Sequence, residues 1–89
     1  MPYIEKAMRS RFGTPPATAR PKTPGELNYC ITMLVKRYIA DNANLDTGVN
    51  YTLLNEIMGA LECAKIEFYR RAMIPYETTK IRQNGDVYL

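Results

Sequence analysis

The residues of this sequence that could do chemistry are basic and aromatic, and they concentrate near the end of a long apolar pattern. Tyr69, Arg70 and Arg71 are consecutive, and Tyr76 follows shortly after. Arginine binds phosphate through a fork of N–H donors, and tyrosine offers a flat ring for stacking. These residues also have a structural interpretation, because cations complement the dipole at a helix C-terminus and tyrosines pack well when half-buried. Both interpretations stay open.

Two further cations are secondary candidates for an anion site. Lys65 falls between Leu61 and Phe68 near the middle of an apolar stripe. Its stem could pack while its amine reaches water or pairs with Glu62, or it could line an anion pocket at a subunit junction. Arg82 is the other secondary candidate.

Catalysis and metal binding have little to build on. The sequence contains no histidine, which is the commonest general base near neutral pH. Its two cysteines, Cys30 and Cys63, lie within apolar helical patterns, where thiols are usually inert fillers. No glycine-rich phosphate loop or nucleophile motif is present. We therefore expect no enzyme activity, no metal site and no cofactor.

The positive charge is concentrated in the amino-terminal 24 residues. The net charge is +3, and this segment carries five cations against the single acid Glu5. The cations are Lys6, Arg9, Arg11, Arg20 and Lys22. Five cations without a recognition helix would bind nucleic acid weakly and without sequence preference, so such binding is only an alternative.

The spacing of apolar residues predicts a short helix over residues 3–11, a proline-rich linker over 14–24, and two long helices. The first long helix has Thr23 as its N-cap, Pro24 at N1 and Glu26 at N3, which is a capping box. Its apolar stripe consists of Leu27, Ile31, Leu34 and Tyr38. A loop is expected over residues 41–50.

The second long helix is predicted to begin near Asn50 or Tyr51 and to stop before Pro75. Its far side also carries apolar residues, and a helix that is apolar on two sides needs two neighbours. The helix is also too long for the first helix alone to cover. We therefore expect a homo-oligomer in which this helix forms most of the interface. Its main stripe consists of Leu54, Ile57, Leu61, Ala64, Phe68 and Ala72.

The tail after Pro75 fits two structures. Asn84-Gly85 between two short runs is typical of a β-hairpin with a type I′ turn, and this is the preferred prediction. The same dipeptide could instead end a short helix that starts at Pro75. The predicted fold is therefore mainly all-α: residues 1–24 form a short helix and basic arm, and residues 25–89 form an antiparallel two-helix hairpin with a small β-hairpin or turn at its end.

The order of several motifs resembles a family of short, uncharacterised proteins encoded by bacteriophages, prophages and some bacteria. The resemblance covers roughly residues 24–88 and rests on five runs: 26–29 (ELNY), 60–65 (ALECAK), 67–71 (EFYRR), 75–77 (PYE) and 84–88 (NGDVY). It implies a phage context, in which small proteins are typically regulators, virion accessories or inhibitors of host defence. It implies no catalytic residues.

Three functional hypotheses follow from these observations. The leading one is non-catalytic sequestration of an anionic small molecule, such as a nucleotide immune signal, in an intersubunit pocket lined by Arg70, Arg71, Tyr69 and Tyr76. The first alternative is a module that inhibits or scaffolds a host or virion protein, and the second is nucleic-acid binding through the arm. No apolar run approaches the roughly 20 residues that a membrane span needs, so we expect a cytoplasmic protein.

Overall fold

The computed structural model describes residues 5–9 and 20–88, and every regular element in these ranges is helical. The elements are α1 (Lys6–Arg9), α2 (Pro24–Asn42), α3 (Tyr51–Phe68), a π-helical segment (Tyr69–Met73) and α4 (Ile74–Asn84). The described residues contain no β-strand, so the mainly α fold predicted from the sequence is confirmed. Of the predicted short helix over 3–11, the described part is α1, and most of the proline-rich linker lies outside the described residues.

The start of α2 is fixed by its N-cap. The Thr23 hydroxyl accepts a hydrogen bond from the Glu26 backbone N–H at 3.1 Å, and Pro24 occupies the first turn, where no N–H is needed. The Glu26 carboxylate accepts from the Lys22 N–H at 3.0 Å. The predicted cap is therefore confirmed, but the returning bond goes to the residue before the N-cap rather than to the N-cap itself.

A short loop reverses the chain between α2 and α3. Asn44 and Gly48 form an antiparallel bridge, in which the Gly48 N–H donates to the Asn44 carbonyl at 2.7 Å. Gly48 has a φ of 73°, a conformation that glycine adopts without a steric penalty. The Asn50 side chain then caps α3 by accepting from the Leu53 N–H at 2.9 Å. The predicted helical hairpin and the predicted start of α3 are confirmed.

The helix does not stop at Pro75, and that prediction is wrong. Helical backbone continues from α3 through the π-helical segment into α4, with Pro75 in the first turn of α4. The Ile74 N–H donates to the Tyr69 carbonyl, five residues earlier. Proline has no N–H and its ring clashes with the carbonyl four residues before it. The wider π turn accommodates the missing N–H and the proline ring at the junction of two helical segments, so the helix continues.

The predicted β-hairpin in the tail is also wrong, and the alternative of a helix C-cap is confirmed. Residues 78–83 belong to α4, and Gly85 follows its last turn with a φ of 87°. The Gly85 N–H donates to the Ile81 carbonyl at 2.8 Å. Asn84-Gly85 suits both structures because both need glycine at positive φ. A helix that is already present upstream satisfies more backbone groups than an isolated pair of short strands.

The buried core of the described residues is small. Leu53 and Ile57 are its buried apolar members, and they lie one turn apart at the start of α3. The predicted α3 stripe is therefore only partly correct, because Ile57 is buried whereas Leu54, Leu61 and Phe68 are exposed. Periodicity identifies an apolar face, but on a helix with two such faces it does not identify which one is covered.

The chain divides into two compact units within α3. The first unit ends at Met58, and the second begins at Gly59 and contains the rest of α3, the π-helical segment and α4. Among the described residues, no helix is both long and apolar enough to span a membrane.

Candidate binding surfaces

The second unit carries a shallow, mostly apolar groove along the end of α3. It combines one acid, one base and four larger apolar or aromatic side chains, so it has the composition of a protein-docking surface more than that of an anion pocket. Of the six site residues predicted from the sequence, the groove contains Lys65 and Tyr69. Its lining residues are Glu62, Lys65, Ile66, Phe68, Tyr69 and Met73.

Arg70 lies outside this groove and is held by an acid on its own helix. Its guanidinium donates to the Glu67 carboxylate, with 2.7 Å between Nη2 and Oε1. The Glu67 side chain is only 11% exposed, whereas that of Arg70 is 62% exposed. Removing one partner of a nearly buried charge leaves the other poorly solvated. Arg70 therefore has a structural task, which reduces its availability to a phosphate.

Glu67 was not identified as a functional or structural residue from the sequence. It is the buried charged residue of the described part of the chain. In the structure Glu67 lies one helical turn after Cys63, which is half-buried, and the sequence shows only this spacing. This places Glu67 on the covered side of α3 and away from the groove.

Lys65 adopts the plainer of its two predicted arrangements. Its ammonium lies 3.8 Å from the Glu62 carboxylate in an i, i+3 pair, and both side chains are well exposed. An exposed pair at this distance contributes only about 0–0.5 kcal/mol. Lys65 thus lines the groove, and its ammonium can leave Glu62 for another acidic partner at little cost.

The two tyrosines of the predicted site have different surroundings. Tyr69 is exposed and lines the groove at the first position of the π-helical segment. Tyr76 lies in α4, where the Lys80 ammonium sits 5.6 Å from the centre of its ring in a cation–π contact. Of the two rings, Tyr69 is the one that lines the groove, and Tyr76 is the one that contacts a cation.

Arg71 and Arg82 are two exposed cations of the predicted site that do not line the groove. Neither forms an ion pair with another described residue. Arg71 belongs to the π-helical segment and Arg82 to the last turn of α4. Eleven positions of helical chain separate them, so they are not gathered into one cluster.

The first unit exposes a second apolar surface, along α2. The predicted stripe of this helix is present, but its side chains face outward and are 42% to 72% exposed. Leu34 is the most exposed of them. We call this surface the α2 stripe, and its members are Leu27, Ile31, Leu34 and Tyr38.

Groups with catalytic or metal-binding chemistry are sparse in the described structure. Cys30 and Cys63 are free and half-buried. Among residues 5–9 and 20–88, no three of the ligand types histidine, cysteine, aspartate and glutamate are grouped so that they could hold a metal ion.

The fold and its surfaces define a small helical protein that presents apolar helix faces to its surroundings. The chain belongs to the family described as "Domain of unknown function (DUF6899)", whose profile matches residues 1–87. This match includes both candidate surfaces and the basic amino-terminal residues. No curated protein and no solved structure matches the chain.

Proposed function

We propose that this protein is a non-catalytic interaction module that binds another protein through the α2 stripe. The observation that carries the proposal is the exposure of four large apolar side chains at i, i+4, i+7 and i+11 of a well-capped helix. An amphipathic helix of this kind binds by laying its apolar face into a groove of the partner, with the same spacing of anchors. Contiguous exposed apolar side chains on a small protein commonly mark such an interface.

The central anchor of this interface is Leu34. It is 72% exposed, so burying it against a partner would remove more apolar surface from water than burying Ile31 or Tyr38. Complete burial of a leucine side chain is worth about 1.5–3 kcal/mol. Binding should therefore depend strongly on this residue.

The family resemblance suggests where the partner comes from. Short proteins of phages and prophages commonly act on a bacterial host protein or on a virion component. On this proposal the chain works in the cytoplasm of the bacterial host, and its partner carries an apolar groove that accepts one helix.

The test compares two glutamate substitutions on opposite sides of α2. Leu34→Glu places a charge in the middle of the α2 stripe, whereas Ala40→Glu places the same charge about 150° around the helix from the centre line of the stripe. Tagged versions of both variants and of the wild type are expressed in the organism that encodes the protein, and captured proteins are identified by mass spectrometry. We expect one protein to be retained by the wild type and Ala40→Glu and lost with Leu34→Glu.

Binding of an anionic small molecule, such as a nucleotide signal, is a second candidate function. Four of the six residues predicted from the sequence support it. Arg71 and Arg82 are exposed cations, and Lys65 and Tyr69 line one groove. Titration with a panel of linear and cyclic nucleotides tests it. A measured nucleotide affinity that is lost in Arg71→Ala would support this function over the first. Arg70→Ala is not used in this test, because it would also break the pair with Glu67.

A further inference from the structure

We propose that the groove face of the second unit binds the same face of a second copy of this chain in an antiparallel pair. The register places Glu62 of each copy opposite Lys65 of the other. This inference concerns residues 59–73 and goes beyond the proposed function, which rests on the α2 stripe.

The two charged residues of this face lie close to its centre line. Glu62 and Lys65 are three residues apart, and both line the groove. At about 100° per residue they lie on either side of the line that passes through Tyr69. They therefore occupy the middle of the contact, where two helices approach each other most closely.

These charges select one orientation of the pair. In a parallel pair in register, Glu62 would face Glu62 and Lys65 would face Lys65, and like charges at the centre of an interface are strongly unfavourable. In an antiparallel pair each glutamate faces a lysine. A two-fold axis between residues 63 and 64 creates two such contacts from one surface, as an isologous interface requires.

The apolar residues of the two copies also match in this register. Leu61 and Phe68 lie seven residues apart on one flank of the face, and both are exposed. The same flanks of two antiparallel helices meet, so Leu61 of each copy lies beside Phe68 of the other. The contact buries two pairs of large apolar side chains around the charged centre.

On the opposite flank, a large side chain of one copy meets a glycine of the other. Ile66 is exposed on this flank. The antiparallel register brings it to Gly59 of the second copy. Apart from its two chain neighbours and the backbone of its own helix, no described atom lies within 4 Å of a Cβ atom built at Gly59. A large side chain from one helix can therefore occupy the space at a glycine of the other.

The ion pair inside each copy does not compete strongly with this arrangement. The two charged groups are 3.8 Å apart and both side chains are more than half exposed, so water already screens their attraction. Exchanging this contact for one between copies keeps every charge paired. The charges then contribute mainly to register and orientation, as polar residues do at the centre of coiled coils.

The test exchanges charges between two variants of the full chain. Lys65→Glu gives a chain with acids at both central positions, and Glu62→Lys gives a chain with bases at both. Sedimentation equilibrium should find a dimer for the wild type, and association weakened at least about tenfold for either variant alone. An equimolar mixture of the two variants should recover a heterodimer, because acid then faces base at every central position.

The mixture distinguishes the contact between copies from the pair within one chain. Both variants lose the intrachain pair, and mixing them does not restore it. Lys36→Glu is the matched control, because it makes the same charge reversal on the exposed surface of α2, and it should leave the dimer unchanged. Far-UV circular dichroism checks that both variants remain helical.

The double variant Glu62→Lys with Lys65→Glu tests whether association depends on pairing an acid with a base rather than on which of the two positions carries each charge. It should dimerise like the wild type, since each lysine again faces a glutamate. A monomeric wild type, unchanged association of the single variants, or a mixture that stays monomeric would each overturn the proposal. None of these results depends on whether the α2 stripe binds a partner, so the two proposals fail separately.

Discussion

Arg70 and Arg71 are consecutive residues of one type, and their surroundings differ completely. Arg70 donates to the nearly buried carboxylate of Glu67, whereas Arg71 is exposed and forms no ion pair within the described part of the chain. Their order in the sequence gives no sign of this difference. It arises because residue 70 lies three positions after the buried acid, on the same side of the helix.

This difference predicts unequal effects of two matched substitutions. Arg70→Ala should lower the free energy of unfolding by about 1 kcal/mol, since it removes a charge-assisted hydrogen bond to a poorly solvated carboxylate. The exposure of Arg70 keeps the figure at the lower end of the range for such bonds. Arg71→Ala should change the stability by no more than about 0.5 kcal/mol. Urea denaturation followed by circular dichroism measures both, and equal effects would contradict the assignment.

At the scale of elements, the π-helical segment is the feature that joins α3 to α4. Its turn contains the Ile74 N–H bond to the Tyr69 carbonyl, and Pro75 follows at once. The segment also carries Tyr69 and Met73, which line the groove. π turns are frequently found at functional sites, and here the turn sets the direction of two groove side chains.

Pro75→Ala should remove the reason for the π turn. Alanine supplies an N–H for the carbonyl four residues earlier and relieves the clash with the proline ring. The Ile74 N–H should then move from the Tyr69 carbonyl to that of Arg70, which is the ordinary α-helical partner. Scalar couplings across hydrogen bonds, measured by NMR, identify the acceptor directly. A variant that keeps the bond to Tyr69 would mean that other contacts impose the π turn.

Local signals in the sequence predicted the starts of α2 and α3 well, whereas α2 runs to Asn42, two residues into the predicted loop. Thr23, Pro24 and Glu26 form a cap from residues that are adjacent in the chain, and Asn50 does the same for α3. Such signals are read within one turn of helix, so no knowledge of packing is needed. The predicted stripe of α2 is likewise present as a continuous apolar surface.

The predictions that were wrong depended on a competition between structures. Pro75 usually ends a helix, but a π turn accommodates it, and the sequence does not state which outcome has the lower free energy. Asn84-Gly85 suits both a hairpin and a helix end. The sequence did not predict that Arg70 pairs with Glu67, because this pair depends on which face of α3 is covered. Two apolar faces left that choice open.

At the scale of the whole molecule, the two units offer two separate apolar surfaces. The α2 stripe belongs to the first unit and contains no charged residue, so it suits a partner with an apolar groove. The groove face of the second unit has a central acid and base, and these suit a second copy of itself. A chain of 89 residues has a limited core, and binding partners of both kinds would add to its stability.

The measurement that tests the central claim most directly is the affinity of the captured partner, in purified form, for the wild type, Leu34→Glu and Ala40→Glu. Isothermal titration calorimetry should find equal affinities for the wild type and Ala40→Glu, and binding at least about tenfold weaker for Leu34→Glu, because one buried leucine contributes more than 1.4 kcal/mol. Equal affinities for all three proteins would contradict the claim that the α2 stripe is the binding surface.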